Sequence, residues 1–135
     1  CPFRVANDLV SKLSEKATIL IVDFHAEATS EKQALGWYLD GRVSAVVGTH
    51  THVQTADEQI RSSGTAYITD VGMTGPTDSI IGIKKEEAIA QLITQTPKRF
   101  TAAKGDRQLQ AVLLDVSPET GHTEAIERIC KKMDG

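Results

Sequence analysis

The sequence predicts a layered α/β fold, and three observations carry this prediction. Segments with a helical spacing of apolar residues alternate with short apolar runs, in the order α-β-α-β-β-β-α-β-β. The runs 17–24 and 43–50 lack polar alternation, which is typical of strands that are covered on both faces. At 135 residues, with 40% hydrophobic and 24% charged residues, the chain has the size and composition of one globular domain.

The first half of the chain contains two helix–strand units. Residues 4–16 place apolar side chains at every fourth position, which predicts an amphipathic helix leading into strand 17–24. A second helix is predicted over 30–40, where Gly41 supplies a C-terminal stop. This helix leads into the second apolar strand, 43–50, and is long enough to serve as a crossover between parallel strands.

The second half of the chain contains shorter strands and one helix. Two short strands flank the Ser-Ser-Gly turn at 62–64, and the Gly- and Pro-containing stretch 73–82 is predicted to be a loop. Residues 84–95 again show helical spacing. Strands near 107–116 and 122–129 then form a terminal hairpin.

The net charge and the cysteine content indicate which binding partners and which cellular compartment are expected. The net charge of -3 gives no basic footprint for a nucleic-acid duplex or an anionic membrane. No apolar stretch reaches the ~20 residues of a membrane span, and no signal peptide is recognisable. The widely separated Cys1 and Cys130 favour reduced thiols, and hence a cytoplasmic protein. The chain opens at Cys1, without a methionine, which is typical of a piece of a longer protein.

Three of the four histidines lie at the ends of the two apolar strands. His25 follows strand 17–24, and His50 and His52 end or follow strand 43–50 in the stretch Thr-His-Thr-His. Ligands of open α/β sheets bind beyond the carboxyl ends of the strands. If the two strands are parallel neighbours, the three imidazoles point into one crevice.

Imidazole is the commonest metal ligand among side chains, so the cluster predicts a site for one ion or for a pair of ions. The alternative is that these are ordinary polar loop residues. Asp23 could orient a neighbouring histidine, or it could cap the strand end. His122 lies alone in a predicted turn and is not part of the cluster. A nucleotide-binding glycine loop and a serine-hydrolase elbow are both missing from the sequence.

The stretch from Val22 to Gly82 carries a resemblance to a known family. It contains the motifs VDFHAEATSEKQALGWYLDGR, VVGTHTHVQTADEQI and GTAYITDVGMTGPTDSIIG. These motifs closely resemble the YmdB-like branch of the calcineurin-like metallophosphoesterases, which includes 2′,3′-cyclic-nucleotide 2′-phosphodiesterases. The resemblance implies a metallophosphoesterase-type β-sandwich flanked by helices.

The resemblance also implies metal ligands and a cofactor. In the family, the histidines of these motifs bind two ions, usually iron or manganese. By motif, His25 and His50 would share one ion and His52 would serve its neighbour. The family's other ligands, and the histidine that protonates the leaving group, belong to a preceding half whose motifs are missing from this sequence. Residues 1–135 are therefore expected to be the C-terminal portion of a single metallophosphoesterase domain.

The expected activity is metal-dependent hydrolysis of small phosphodiesters such as cyclic nucleotides, by attack of a metal-activated water. The chain alone is expected to be nearly inactive, because three neutral imidazoles provide no negative charge for two ions. Two alternatives remain open: a mononuclear hydrolase with a three-histidine site, and a non-catalytic binding module that keeps the fold. Exposed strand edges in a partial sandwich further predict a homo-oligomer.

Overall fold

The computed structural model describes residues 1–133, and the elements follow the predicted alternation of helices and strands. The three helices are α1 (Pro2–Leu13), α2 (Thr29–Tyr38) and α3 (Lys85–Thr94). The strands are β1 (Ile21–His25), β2 (Ala45–Thr49), β3 (Gln59–Ile60), β4 (Ala66–Ile68), β5 (Gly75–Pro76), β6 (Arg107–Val116) and β7 (Thr123–Met133). The mixed α/β class predicted from the sequence is confirmed.

The first of two compact units contains the four-stranded sheet. It combines Cys1–Gly72 with Val112–Arg128. Its four-stranded sheet has the order β1-β2-β4-β3, in which β1, β2 and β4 are parallel and β3 runs antiparallel to β4. The crossover through α2 therefore joins parallel neighbours, as the lengths of the segments predict.

The core of this unit forms where α2 covers the sheet. Leu35 of α2 and Leu39, which directly follows the helix, are buried against Val46 of β2 and Tyr67 of β4. The apolar face of the helical segment thus packs on the apolar face of the neighbouring strands, as the helical spacing predicts. Burial of each large apolar side chain stabilises the fold by about 1.5–3 kcal/mol.

The second compact unit combines Met73–Ala111 with the segment that starts at Ile129. It contains α3 and the antiparallel pairing of β5 with β6, in which Gly75 faces Gln108. The stretch 73–82, predicted to be a loop, is mostly irregular but contributes the two residues of β5. The predicted terminal hairpin is confirmed by neighbouring strands β6 and β7.

One predicted element differs in position. The sequence predicts that strand 17–24 is covered on both faces, but β1 is one of the two edge strands of its sheet and begins only at Ile21. Ile21 is 57% exposed, and Asp23 and His25 on the same face are exposed as well. A continuous apolar run shows that side chains favour burial, but it does not show how many neighbours cover them. In residues 1–133, no helix has the length and hydropathy required to cross a bilayer.

Candidate metal centre

The parallel pairing of β1 and β2 brings two of the predicted ligands together. The register places His25, the last residue of β1, opposite Thr49, the last residue of β2. His50 follows Thr49 directly, so both imidazoles leave the carboxyl ends of neighbouring strands. The structure thus brings these two imidazoles together, as the parallel arrangement predicts, and their role as metal ligands stays a prediction.

The two rings approach each other closely and edge to face. Nε2 of His25 lies 3.0 Å from Nδ1 of His50, and the ring centroids are 4.9 Å apart at an interplanar angle of 86°. Two nitrogen ligands bound at about 2.1 Å and about 90° to each other on one ion are separated by about 3.0 Å. The observed separation therefore fits two neighbouring ligands of a single ion.

A hydrogen-bond relay fixes which nitrogen of His25 faces His50. The Thr49 hydroxyl donates its one proton to Oδ1 of Asp23, over 2.9 Å, so it must accept a bond from Nδ1–H of His25, 3.1 Å away. The lone pair of His25 is thereby assigned to Nε2, toward His50. Asp23 thus orients a histidine, as one reading of the sequence suggested, but it acts through Thr49. Such relays determine ligand tautomers in metal sites.

The loop after β2 adopts an unusual backbone conformation. His50 has φ 116° and His52 has φ 64°, a region that residues other than glycine rarely adopt. The loop is held by Lys32 of α2, whose ammonium donates to the Thr49 carbonyl over 2.6 Å. The same ammonium lies 3.1 Å from Oδ2 of Asp70, and both side chains are almost fully buried.

Asp70 gathers hydrogen bonds at the far side of this loop. Its Oδ2 accepts from the Thr51 amide at 2.8 Å, and its Oδ1 accepts from the Gly72 amide at 2.9 Å. Burial favours the neutral acid, but these amides and Lys32 outweigh it, so the pKa of Asp70 lies below its ordinary value. The carboxylate is therefore ionised at neutral pH and pairs with the buried ammonium.

The third predicted ligand stands apart from the pair. His52 is exposed, and within residues 1–133 no hydrogen bond connects its ring to His25 or His50. In the same range, no three His, Cys, Asp or Glu side chains converge closely enough to hold an ion on their own. The role of His52 as a ligand stays a prediction. His122 lies near Gly64 and outside the pair, as expected.

Sequence reasoning missed the contribution of Lys32. The available signal was its spacing: Lys32 precedes Leu35, Gly36 and Leu39 on one helical face, which is the face that α2 buries. A charged residue on an apolar stripe indicates a buried partner, although a lysine can also extend its stem along apolar surface to reach water. The hydrogen bond between Thr49 and His25 was likewise not predicted from the sequence.

Comparisons with known proteins agree with this fold. The sequence profile of a family described as "YmdB-like protein" matches residues 1–129. The 2′,3′-cyclic-nucleotide 2′-phosphodiesterase of Bacillus subtilis is 55% identical over 128 residues, which is 95% of this chain and 48% of that protein.

Two solved structures are similar over almost the whole chain. A hypothetical protein from Thermus thermophilus superposes with a TM-score of 0.92 at 46% identity, covering 99% of this chain and 52% of the other. A phosphatase from Mycoplasma pneumoniae superposes with a TM-score of 0.90 at 41% identity, covering 97% and 46%. The chain spans about half the length of the curated relatives it matches. On the family match, this chain belongs to the YmdB-like proteins.

Proposed function

We propose that this chain contributes half of the active site of a metal-dependent phosphodiesterase acting on small phosphodiesters such as cyclic nucleotides. The observation that carries the proposal is the 3.0 Å separation between Nε2 of His25 and Nδ1 of His50. The name of the Bacillus subtilis relative supports the substrate class. His25 and His50 would hold one ion, and His52 would serve a second ion, with iron or manganese as the metals.

The residues of the chain prepare the site rather than carry out the reaction. When bound, the ions supply positive charge that activates water and neutralises phosphoryl oxygens. Asp23 and Thr49 keep the lone pair of His25 directed at the site. The proton between the two rings must leave Nδ1 of His50 when both nitrogens act as ligands, and a neutral His50 would then carry it on Nε2.

Charge balance indicates that further ligands are needed. The three histidines are neutral ligands and bring no negative charge. The nearby carboxylate of Asp23 accepts a hydrogen bond from the Thr49 hydroxyl, 2.9 Å away, and is not proposed as a ligand. Two divalent or trivalent ions require carboxylates to offset their charge. We therefore propose that residues 1–135 are the C-terminal portion of one metallophosphoesterase domain, and that the isolated chain hydrolyses phosphodiesters poorly. The half-length match to the relatives supports this assignment.

Metal uptake tests the histidine assignment directly. We expect calorimetric titration with Mn²⁺ to show binding by the wild type, and a loss of at least tenfold in affinity for His25→Ala and for His50→Ala. His122→Ala is the matched control, because it removes an imidazole outside the pair and should leave the affinity unchanged. Equal affinity in all four proteins would rule out the proposed ligands.

Stoichiometry and turnover separate the alternatives. One tight ion per chain, abolished by His52→Ala, would favour the mononuclear three-histidine hydrolase. No uptake would favour the non-catalytic binding module. Turnover of a chromogenic phosphodiester with Mn²⁺ should be low for this chain and high for a chain extended at its N-terminus. Robust turnover by the 135-residue chain would contradict the proposed division of the active site.

We also propose that the protein forms a homo-oligomer and is located in the cytoplasm. A cavity of about 350 Å³ lies between α1 and β1, and the apolar Val5, Leu9 and Ile21 that line it are more than half exposed. Apolar surface beside an edge strand supports self-association, and light scattering would report the mass in solution. Cys1 and Cys130 are free and exposed, which supports a reducing compartment.

A further inference from the structure

A buried ion pair lies directly beneath the histidine loop. The side chains of Lys32 and Asp70 are 1% and 0% exposed, and their charged atoms are 3.1 Å apart. Transfer of both charges out of water is costly, and apolar side chains of similar volume are often equally stabilising or more so. Stability alone therefore does not explain why the pair occupies the interior.

The pair holds the peptide groups on both sides of His50. The ammonium of Lys32 binds the carbonyl of Thr49, which belongs to the peptide plane before His50. The carboxylate of Asp70 binds the N–H of Thr51, which belongs to the peptide plane after His50. The φ and ψ angles of a residue are the rotations between its two flanking peptide planes. Fixing both planes therefore fixes the backbone of His50.

The conformation that is fixed in this way is strained. His50 has φ 116°, where the Cβ of any residue other than glycine meets steric conflict. Such conformations persist only where the surrounding structure over-determines them. At this backbone angle Nδ1 of His50 comes within 3.0 Å of Nε2 of His25. The strain is thus coupled to the geometry of the imidazole pair.

We propose that Lys32 and Asp70 are positioning residues that hold His50 in its strained conformation and thereby set the distance between the two imidazoles. This inference deepens the proposed metal site, and its functional part rests on that proposal. Without the ammonium, the Thr49 peptide is free to rotate and His50 returns to negative φ. The imidazole pair then opens, and the affinity for metal falls at least tenfold.

Backbone and metal measurements test the proposal separately. The three-bond coupling between HN and Hα of His50, read together with the intraresidue HN–Hα NOE on the metal-free chain, distinguishes positive from negative φ. Calorimetry with Mn²⁺ reports the affinity of the site. The variants are Lys32→Met and the double variant Lys32→Met/Asp70→Asn, which leaves no unpaired buried carboxylate and therefore keeps a folded protein available. Lys85→Met is the matched control, because it breaks an exposed Lys–Asp pair with a 2.6 Å contact.

We expect both Lys32 variants to move the His50 coupling into the range of negative φ and to lose at least tenfold in Mn²⁺ affinity, with Lys85→Met unchanged in both. A folded double variant with the wild-type coupling would overturn the positioning role. An altered coupling with unchanged Mn²⁺ affinity would overturn its link to the metal site. Altered couplings in a chain that takes up no Mn²⁺ even as wild type would support the backbone role and reject the proposed function.

Discussion

The substitution Gly48→Ala should strongly destabilise the fold, because no space exists for a Cβ at this position of β2. A Cβ built on Gly48 would lie 1.8 Å from the backbone carbonyl oxygen of Thr69 and 3.0 Å from Cδ of Lys32. To reach 3.0 Å from the carbonyl oxygen, which is still a tight contact, the chain after β4 must retreat by at least 1.2 Å, the difference between 3.0 and 1.8 Å. That retreat stretches the 2.9 Å hydrogen bond from the Val71 amide to the Gly48 carbonyl.

The expected cost follows from these contacts. Overpacking costs about 1–3 kcal/mol. A weakened hydrogen bond adds about 0.5–1.5 kcal/mol. We therefore expect a loss of about 2–4 kcal/mol in the free energy of unfolding, seen as a midpoint lower by about 1–2 M in urea denaturation.

Gly75→Ala provides the matched control for this measurement. A Cβ on Gly75 would first meet the flexible end of the Met73 side chain at 3.4 Å, which is an ordinary contact. We expect this variant to stay within about 0.5 kcal/mol of the wild type. If Gly48→Ala and Gly75→Ala unfold at the same urea concentration, the close approach of β2 and the chain after β4 is not as described.

Three further outcomes follow from other contacts. Thr49→Val removes the acceptor of the Nδ1 proton of His25, so the population of that tautomer relative to the other should fall about 2- to 13-fold, as read from ¹⁵N shifts of the ring in alkaline solution. Burial raises the pKa of Asp57, but hydrogen bonds from threonines outweigh it and lower that pKa below 3.8. The ionised Asp57 therefore stabilises the fold above the pKa of the unfolded state, and this stabilisation is lost as pH falls through the pKa of the folded state. Asp57→Asn should make the unfolding free energy fall less steeply in acid than it does for the wild type. Equal slopes for the two proteins would contradict this. Leu39→Ala should cost about 2–5 kcal/mol because Leu39 is 0% exposed, whereas Leu92→Ala, at 67% exposure, should cost about 0.5 kcal/mol or less in the same urea assay.

The part of the site that depends on strand order could be predicted from the sequence. Two apolar runs ending in histidines, joined by one helix, require only a parallel crossover for His25 and His50 to meet. The register of β1 and β2 realises this arrangement. Helix positions were also predictable within a few residues, because apolar spacing along α1, α2 and α3 follows the helical repeat.

The remainder depends on contacts that spacing does not encode. The position of β1 at the sheet edge depends on which strands pair. An apolar run in the sequence does not indicate which strands lie beside it. The strained backbone of His50 results from side chains of Lys32 and Asp70, which lie 18 and 20 positions away in sequence. The assignment of the His25 proton required the direction of one hydroxyl, on Thr49.

The burial of Lys32 and Asp70 also limits how the sequence can vary. Removing either charged side chain leaves the opposite charge unpaired in the interior, at a cost of about 3–5 kcal/mol. That cost is a large share of the roughly 5–15 kcal/mol that keeps an ordinary domain folded. Neither position can therefore drift by itself without passing through a poorly folded ancestor. Exchange of both residues together avoids an unpaired buried charge, so positions 32 and 70 are expected to vary as a pair.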